Sequence, residues 1–327
     1  MTSGRARLRV AVLVVLALCA LVACSGGGGP APPKPATGCV GTPDSQLVTL
    51  TDDRRSQNSD NVVPVLRSTV ASAPLTTALR RVSEALSQDE LLGLNRAVAL
   101  DGTDPAQAAR NFLERRRITV GLTGGSGTIV VAAADFSESR ALAAVYVAVL
   151  DAAGYHARVR IFRDREVLQP ALQSGQAQVT PEYAATLTTF LAAKAGRLDG
   201  GPSNEIDRTM AVLRPLAAAR GLTVLDPARA TDQNAFAVTK ATAERLGVET
   251  LSDLAAKCPG GVTLGGTAEC PQRPFCQPIL EKSYGLKITG FTALDSDGPV
   301  TRRALQQGRV LVGEVFSSDA DVVSAGG

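Results

Sequence analysis

Residues 128–134 read TIVVAAA, and the fold is decided by this stretch together with residues 135–190. The run is short, apolar and β-branched, which is typical of a buried parallel strand. A polar turn comes next, where Ser137 is predicted to cap a helix. Residues 156–162 and 176–180 then predict two further strands, with a helix over 167–174 between them. In such a β-α-β-α-β unit, ligand-binding groups lie where strands end and helices begin.

The alternation continues on both sides of this unit. Helical spacing predicts helices over 75–86, 91–99 and 105–116, and strands and helices alternate again from 204 to 316. Such a pattern indicates an α/β protein with mostly parallel sheet. The about 290 residues after the N-terminal region are enough for two lobes with cores of their own.

The N-terminus predicts an export signal and a tether. Residues 1–23 carry three arginines followed by an apolar run that is too short for a stable spanning helix. The run ends Leu-Val-Ala-Cys24, which resembles a bacterial lipobox, so Cys24 is predicted to carry lipid on the outer face of the cytoplasmic membrane. Residues 24–38 are rich in Gly and Pro and indicate a flexible tether. An ordinary signal peptide and a membrane anchor remain alternatives.

Charge and motif content exclude several classes of protein. Without the signal, 34 basic residues fall to 31, which equals the 31 acidic ones, so no basic field for nucleic acid is present. His156 is the only histidine, and neither a G-x-S-x-G nor a Walker motif occurs. The sequence therefore argues against an enzyme and predicts neither a cofactor nor a metal.

A series of short motifs carries a resemblance to a known family. Each is weak alone, but they follow one order at 133–138, 153–155, 165–175, 181–186, 232–239, 264–280, 297–305 and 315–319. In that order they resemble the substrate-binding lipoproteins of ABC importers for osmoprotectants (glycine betaine, proline betaine and choline). The resemblance implies a two-lobed, type II periplasmic-binding-protein-like α/β fold, with two mixed sheets, a cleft and a two-strand hinge. It also implies a monomer that binds a small molecule and has the permease and ATPase subunits of an ABC importer as partners.

One region is in an unexpected place. Residues 47–66 and 86–116 resemble segments that family members carry after the motif found here at 315–319. The simplest interpretation is a circular permutation, with the glycine-rich residues 121–127 joining the former termini. This stretch lacks the Lys-Ser/Thr of a phosphate-binding loop. The predicted lobes are then 58–230 (lobe I) and 39–57 with 231–327 (lobe II).

Four cysteines remain after the signal and the lipid site. An even number in an exported protein predicts two disulfides. Cys270 and Cys276 flank a short predicted turn, whereas Cys39 and Cys258 both precede strands at one end of lobe II, so we expect these two pairings. A zinc site is the alternative, but the C-x5-C spacing and the lack of a nearby histidine disfavour it.

The resemblance also implies a ligand site made of a tyrosine cage and an arginine. Aromatic faces hold a quaternary ammonium by cation–π attraction, and an arginine fork holds a carboxylate. Two cage positions depart from the family pattern, since they carry Asn234 and Ser59, and Phe136 or Phe275 is a candidate to complete the cage. The predicted ligand-binding residues are Tyr183, Thr186, Arg273, Phe316, Asn234, Ser59 and Phe136.

Three of these residues also have a purely structural alternative. Tyr183 and Phe316 also suit a core, and Arg273 also suits a surface ion pair. Phe190 is interpreted as core and Arg165-Glu166 as a surface or interlobe pair. The predicted function is delivery of a quaternary ammonium osmoprotectant to an ABC importer. A binding protein for another small polar solute, or a sensory or scaffold lipoprotein, remains the alternative.

Overall fold

The computed structural model describes residues 38–196, 201–295, 298–319 and 321–324. The predicted signal peptide, Cys24 and almost all of the tether lie outside these residues. None of the described helices has the length and apolar character needed to span a membrane.

The described strands form two mixed sheets. In chain order they are β1 (Leu47–Leu50), β2 (Val62–Arg67), β3 (Thr128–Ala134), β4 (His156–Phe162), β5 (Val179–Tyr183), β6 (Leu222–Val224), β7 (Asn234–Thr239), β8 (Val262–Gly266), β9 (Ile288–Ala293), β10 (Val312–Phe316) and β11 (Val322–Ser324). One sheet has the order β4-β3-β5-β2-β6 and the other has β11-β1-β7-β10-β8-β9. We use lobe I for the five-stranded sheet with its helices and lobe II for the six-stranded sheet with its helices. The residue boundaries predicted for the lobes stay predictions.

Helices cover these sheets. They are α1 (Ala73–Ala85), α2 (Gln88–Asn95), α3 (Pro105–Arg115), α4 (Ser137–Ala152), α5 (Arg165–Ser174), α6 (Ala184–Lys194), α7 (Ile206–Ala218), α8 (Lys240–Leu246), α9 (Leu251–Lys257), α10 (Gln277–Tyr284) and α11 (Pro299–Gln306). A π-helical turn, Arg96–Leu100, follows α2. Ser87 caps α2 through its hydroxyl, and Asp104 caps α3 through its carboxylate.

Lobe I has an apolar core on each face of its sheet. The β-branched run of β3 is buried from Ile129 to Ala133, as the sequence predicts. One core packs α1 to α4 against the sheet, with Phe112 and Tyr146 among its fully buried side chains. The other core packs α5, α6 and α7 against the opposite face. The carboxyl ends of β3 and β5, which pair in parallel, therefore point to the same edge of lobe I.

In lobe II the first strand of the chain forms part of the sheet. Strand β1 pairs antiparallel with β7 and parallel with β11. Strand β7 then pairs with β10, which continues in parallel to β8 and β9. The polypeptide before α1 is therefore shared between the sheets, because β1 belongs to lobe II and β2 to lobe I.

Two antiparallel segments connect the lobes. An isolated bridge pairs Asn61 with Thr231. The Asp232 N–H donates to the Asp60 carbonyl at 3.0 Å, and the Val62 N–H donates to the Ala230 carbonyl at 3.0 Å. These bonds form the two-strand connection that the resemblance implies, and they place Asp60 and Asp232 at the base of the space between the sheets.

Some predicted boundaries are wrong by a few residues. Ser137 does not cap α4, because the helix begins at Ser137 and the preceding position belongs to Phe136. Instead, the Ser139 hydroxyl accepts from the Ala134 N–H at 2.9 Å. Helix α5 begins at Arg165, earlier than predicted, because Asp164 caps it. Strand β5 runs from Val179 to Tyr183, later than predicted.

Both predicted disulfides are present. Cys39 is joined to Cys258 and Cys270 to Cys276. The four cysteines are therefore joined in pairs, as the disulfide alternative requires. The first bond ties the beginning of the described chain to lobe II, and the second closes the loop that carries Arg273.

The glycine-rich stretch lies at the surface between α3 and β3. Most of its residues are exposed, although Leu122 is buried. The Gly125 N–H donates to the Ala153 carbonyl, and Gly125 lies against the Tyr155 ring where a Cβ would clash. The stretch is therefore a surface loop that packs closely against its neighbours, at the position predicted for the join.

Candidate functional site

A cavity of about 620 Å³ lies between the two lobes. Its wall contains most of the residues predicted to bind the ligand, namely Tyr183, Thr186, Arg273, Phe316, Asn234 and Phe136. Further lining residues include Phe275, Phe190, Asp60, Arg165 and Asp232. The space is thus bounded by aromatic rings and by charges of both signs.

Tyr183 stands at the end of β5, where the strand passes into α6. Its side chain is 7% exposed, and its hydroxyl donates to the Glu138 carboxylate in the first turn of α4. Burial, together with that carboxylate, raises the pKa of Tyr183 well above its usual value. The phenol therefore stays neutral, and Glu138 fixes the orientation of its ring. Tyr183 belongs to the core of lobe I and also lines the cavity.

Phe136 extends this aromatic surface. Its ring stacks beside Tyr183 with centroids 6.4 Å apart and planes inclined by 28°. It is 44% exposed and lines the cavity. Phe190, interpreted as core from the sequence, also lines the cavity while it packs on the lobe I core. Lobe I therefore contributes three aromatic side chains to the cavity wall.

Of the neighbours Ser59 and Asp60, only Asp60 is among the described lining residues of the cavity, and ligand binding by Ser59 stays a prediction. The Ser59 hydroxyl donates to the Asn204 carbonyl at 2.8 Å, and Ser59 is absent from the described lining of the cavity. Asp60 does line the cavity, because successive side chains of an extended segment point to opposite sides. The Asp60 carboxylate accepts from the Thr186 N–H at 3.0 Å and from the Thr186 hydroxyl.

The environment of Asp60 changes its acidity. Its side chain is 8% exposed and lies at the N-terminus of α6. Burial raises the pKa of Asp60 to about 6, although the bonds from Thr186 oppose the shift. Asp60 is therefore a cavity residue that takes up its proton at a higher pH than an ordinary aspartate does.

Arg165, interpreted together with Glu166 as a surface or interlobe pair, instead pairs with Glu182 of its own lobe and lines the cavity. Its guanidinium forms a fork on Glu182, with Nε at 3.1 Å from both carboxylate oxygens and Nη2 at 2.8 Å from Oε2. Glu182 is 4% exposed and also accepts from Gln169 at 2.9 Å. Burial lowers and Glu182 raises the pKa of Arg165, with a net rise. This arginine lines the cavity with its charge already neutralised.

Lobe II presents residues from its loops and strand ends. Arg273 and Phe275 lie in the loop closed by Cys270 and Cys276, and both are exposed. Phe316, at the end of β10, pairs in register with Asn234 at the start of β7. The Asn234 side chain donates to the Phe275 carbonyl at 3.1 Å. Asn234 thus holds the loop while it lines the cavity.

Hydrogen bonds also cross directly between the lobes. Gln88 of α2 donates to the Thr231 and Ser317 carbonyls at 3.1 and 2.9 Å. Asn95, at the end of the same helix, donates to the Ser318 carbonyl at 2.8 Å and to the Glu138 carboxylate. Glu138 therefore links the Tyr183 ring to the turn that follows Phe316. The sequence alone presents Glu138 only as one residue of a motif, since its buried partners are remote along the chain.

A second space of about 460 Å³ adjoins the first. The two share Phe136, Asp232 and Phe316, and the second also touches Asn95, Glu138 and Arg302. It carries few of the aromatic and arginine positions that the family pattern implies. We therefore take the 620 Å³ cavity as the candidate site.

Comparison with protein families gives one extensive match. The family model for the substrate-binding domain of ABC-type glycine betaine transport systems matches residues 41–115 and 127–325. The interval between the matched segments contains most of the glycine-rich stretch. A search of curated protein sequences finds no match.

Several solved structures are similar at a distance. Apo YehZ from Escherichia coli is 22% identical with a TM-score of 0.48, covering 58% of this chain and 69% of that one. NikA from Brucella suis in complex with Fe(III)-EDTA is 15% identical with a TM-score of 0.28, covering 60% and 48%. DppA from Helicobacter pylori in complex with peptide STSA is 10% identical with a TM-score of 0.23, covering 56% and 48%. The chain thus spans about half the length of the last two, and likenesses this remote carry no functional argument.

Proposed function

Since the chain belongs to the family of substrate-binding domains of ABC-type glycine betaine transport systems, we propose that it delivers a quaternary ammonium osmoprotectant to an ABC importer. The ligand is glycine betaine, proline betaine or choline. Family membership makes the chain an extracytoplasmic solute-binding protein with permease subunits as partners, and the named ligands are our proposal.

The observation that carries this proposal is the meeting of aromatic rings and an arginine around one cavity. A quaternary ammonium cannot donate a hydrogen bond, so it is held by ring faces at about 0.5–2 kcal/mol each. Tyr183 and Phe136 come from lobe I, and Phe275 and Phe316 come from lobe II. Arg273, exposed beside them, can take a ligand carboxylate. A ligand that touches both sets would hold the lobes together.

Calorimetric titration of the purified chain tests the proposal. We expect choline, glycine betaine and proline betaine to bind at a single site. Glycine is the matched control, because it has the carboxylate and the charge of glycine betaine but lacks the methyl groups. Binding of glycine as tight as that of glycine betaine would contradict recognition by aromatic faces.

One observation favours a second candidate, a hydroxylated or amide-bearing solute. Asn234 and Ser59 stand where two cage aromatics were expected, and Asn234 and Asp60 supply polar groups within the cavity wall. Loss of two ring faces costs about 1–4 kcal/mol of binding energy for a quaternary ammonium. The same titration with a set of polyols and amides separates the two candidates, because only the first requires a methylated nitrogen.

Lipid anchoring through Cys24 completes the proposal. The lipobox-like residues 21–24 support it, and they lie outside the described structure. Metabolic labelling with a radioactive fatty acid should mark the native chain and leave the Cys24→Ala chain unlabelled. Label retained on the variant would rule out this attachment site.

A further inference from the structure

The charges around the cavity differ in how far water screens them. Asp60 is 8% exposed, whereas Arg273 is exposed on its loop. Water weakens the field of an exposed charge far more than that of a buried one. The field of Asp60 therefore acts more strongly inside the cavity than that of Arg273.

The remaining charged groups that line the cavity do not cancel Asp60. Arg165 is the nearby cation, but its fork is occupied by the buried Glu182 carboxylate. Asp232 is a second anion on the same wall, and the Ser318 hydroxyl donates to it at 2.7 Å. Of the two arginines among the described lining residues, Arg165 is thus already paired and Arg273 is exposed.

The Asp60 carboxylate already accepts hydrogen bonds from the protein and does not require a donor from the ligand. Its carboxylate already accepts from the Thr186 N–H and hydroxyl at the start of α6. A quaternary ammonium has no hydrogen-bond donor, and it is bound by a nearby negative charge and by the face of an aromatic ring. Asp60 and Tyr183, which line the same wall, meet these two requirements.

On the basis of the proposed function, we infer that Asp60 makes the cavity select ligands of net positive charge, such as choline, over zwitterions such as glycine betaine. The attraction acts on the ammonium of both ligands. In a zwitterion, however, the carboxylate is repelled by the same charge, which cancels much of the gain. The preference depends on Asp60 being ionised.

Protonation supplies an independent test. Burial raises the pKa of Asp60 to about 6, so the charge is present at neutral pH and lost under mildly acidic conditions. The only histidine, His156, is exposed at the start of β4 and does not line the described cavity. The other charged groups around Asp60 are Arg165 with its partner Glu182, Asp232 and Arg273, and an Asp60→Asn variant leaves all of them in place. Choline binding should therefore weaken on acidification, and glycine betaine binding should change less.

The experiment measures dissociation constants of choline and glycine betaine for the whole chain and for Asp60→Asn, at about pH 7.5 and about pH 5. For the native chain we expect choline to bind more tightly at neutral pH and to lose affinity several-fold on acidification, by at most about tenfold, because a carboxyl with a pKa of about 6 keeps about a tenth of its charge at pH 5. In Asp60→Asn the neutral-pH choline affinity should already be reduced by about that factor, with little further dependence on pH. Glycine betaine should change by less than about threefold throughout.

Two variants separate charge selection from damage to the fold. Asp44→Asn is the matched control, because Asp44 accepts from the Ala241 N–H in the first turn of α8, away from the cavity. It should leave the ratio of the two affinities unchanged. Asp232→Asn tests the other carboxylate, and a larger loss of choline preference there than in Asp60→Asn would overturn the assignment.

The outcomes distinguish this inference from the proposed function. If the native chain binds both ligands but Asp60→Asn weakens both equally, Asp60 serves only α6, and the inference fails while the proposed function stands. If the native chain binds no quaternary ammonium, the proposed function fails and the inference fails with it. If the preference for choline is lost in Asp60→Asn and at acidic pH but is kept in the control variant, the result supports both the inference and the proposed function.

Discussion

The two walls of the cavity are built differently. On lobe I, Tyr183 and Arg165 are held by the buried carboxylates Glu138 and Glu182. On lobe II, Arg273 and Phe275 sit exposed on a short disulfide-closed loop. Binding groups that are fixed before the ligand arrives lose little entropy on binding. We infer that lobe I presents a preformed half-site and that the loop of lobe II completes it.

The sharpest test of this contrast compares the two arginines. Arg165→Met leaves Glu182 buried without its fork, so we expect the free energy of unfolding to fall by about 3–5 kcal/mol. Arg273→Met removes an exposed charge and should change it by less than about 0.5 kcal/mol. Urea unfolding measures both values. Equal destabilisation by the two changes would contradict the distinction between the walls.

The two disulfides should separate stability from binding. Cys39–Cys258 closes a loop with a sequence separation of 219, whereas Cys270–Cys276 spans only 6. Replacing the first pair by serine should cost about 2–4 kcal/mol of unfolding free energy and leave the ligand affinity unchanged. Replacing the second pair should cost less stability but weaken binding, because it frees the Arg273 loop. If unfolding and titration show that loss of Cys39–Cys258 weakens binding while loss of Cys270–Cys276 does not, the lobe II wall does not depend on this loop.

Tyr183 tests the lobe I wall itself. Tyr183→Ala removes one ring face and should weaken choline binding by about 1–2 kcal/mol. Tyr183→Phe keeps the ring and removes only the bond to Glu138, so it should retain most of the affinity. Titration of the two variants gives the comparison. A loss in Tyr183→Phe as large as that in Tyr183→Ala would mean that the hydroxyl, and not the ring face, matters for the ligand.

The sequence predicts the strand and helix order well because the patterns are local. The alternation around β3 and the capping residues Ser87 and Asp104 are visible in a few neighbouring residues. The cavity residues are harder to predict. The family pattern points to Ser59, whereas its neighbour Asp60 lines the cavity, because in an extended chain a shift of one residue moves a side chain to the other face.

Other site residues depend on contacts that only the fold creates. Arg165 meets Glu182 because α5 packs beside the end of β5, and Glu138 meets Tyr183 because α4 begins near the same edge. The residues close to Arg165 or Glu138 in the sequence do not predict these partners. Burial decides their roles, and burial is a property of the packed lobes.

The smallest effect is expected from changing the chain order. We propose a circular permutation, supported by the place of β1 in the lobe II sheet and by the exposed stretch at residues 121–127. A re-permuted gene would carry residues 39–117 behind residue 327 and open the chain at 121–127. Both walls should survive, so the choline affinity should stay within about twofold, since only loop closure changes. A re-permuted chain that folds but no longer binds would contradict the permutation.

The most direct test of the central claim is the position of the ligand in a crystal structure of the choline complex. We expect the trimethylammonium group within about 6 Å of the Tyr183 ring centroid, between the walls of lobes I and II. We also expect Asp60 to be the nearest buried carboxylate. Choline bound instead in the neighbouring space beside Asn95 and Arg302, with the Tyr183 cavity filled by water, would contradict the claim.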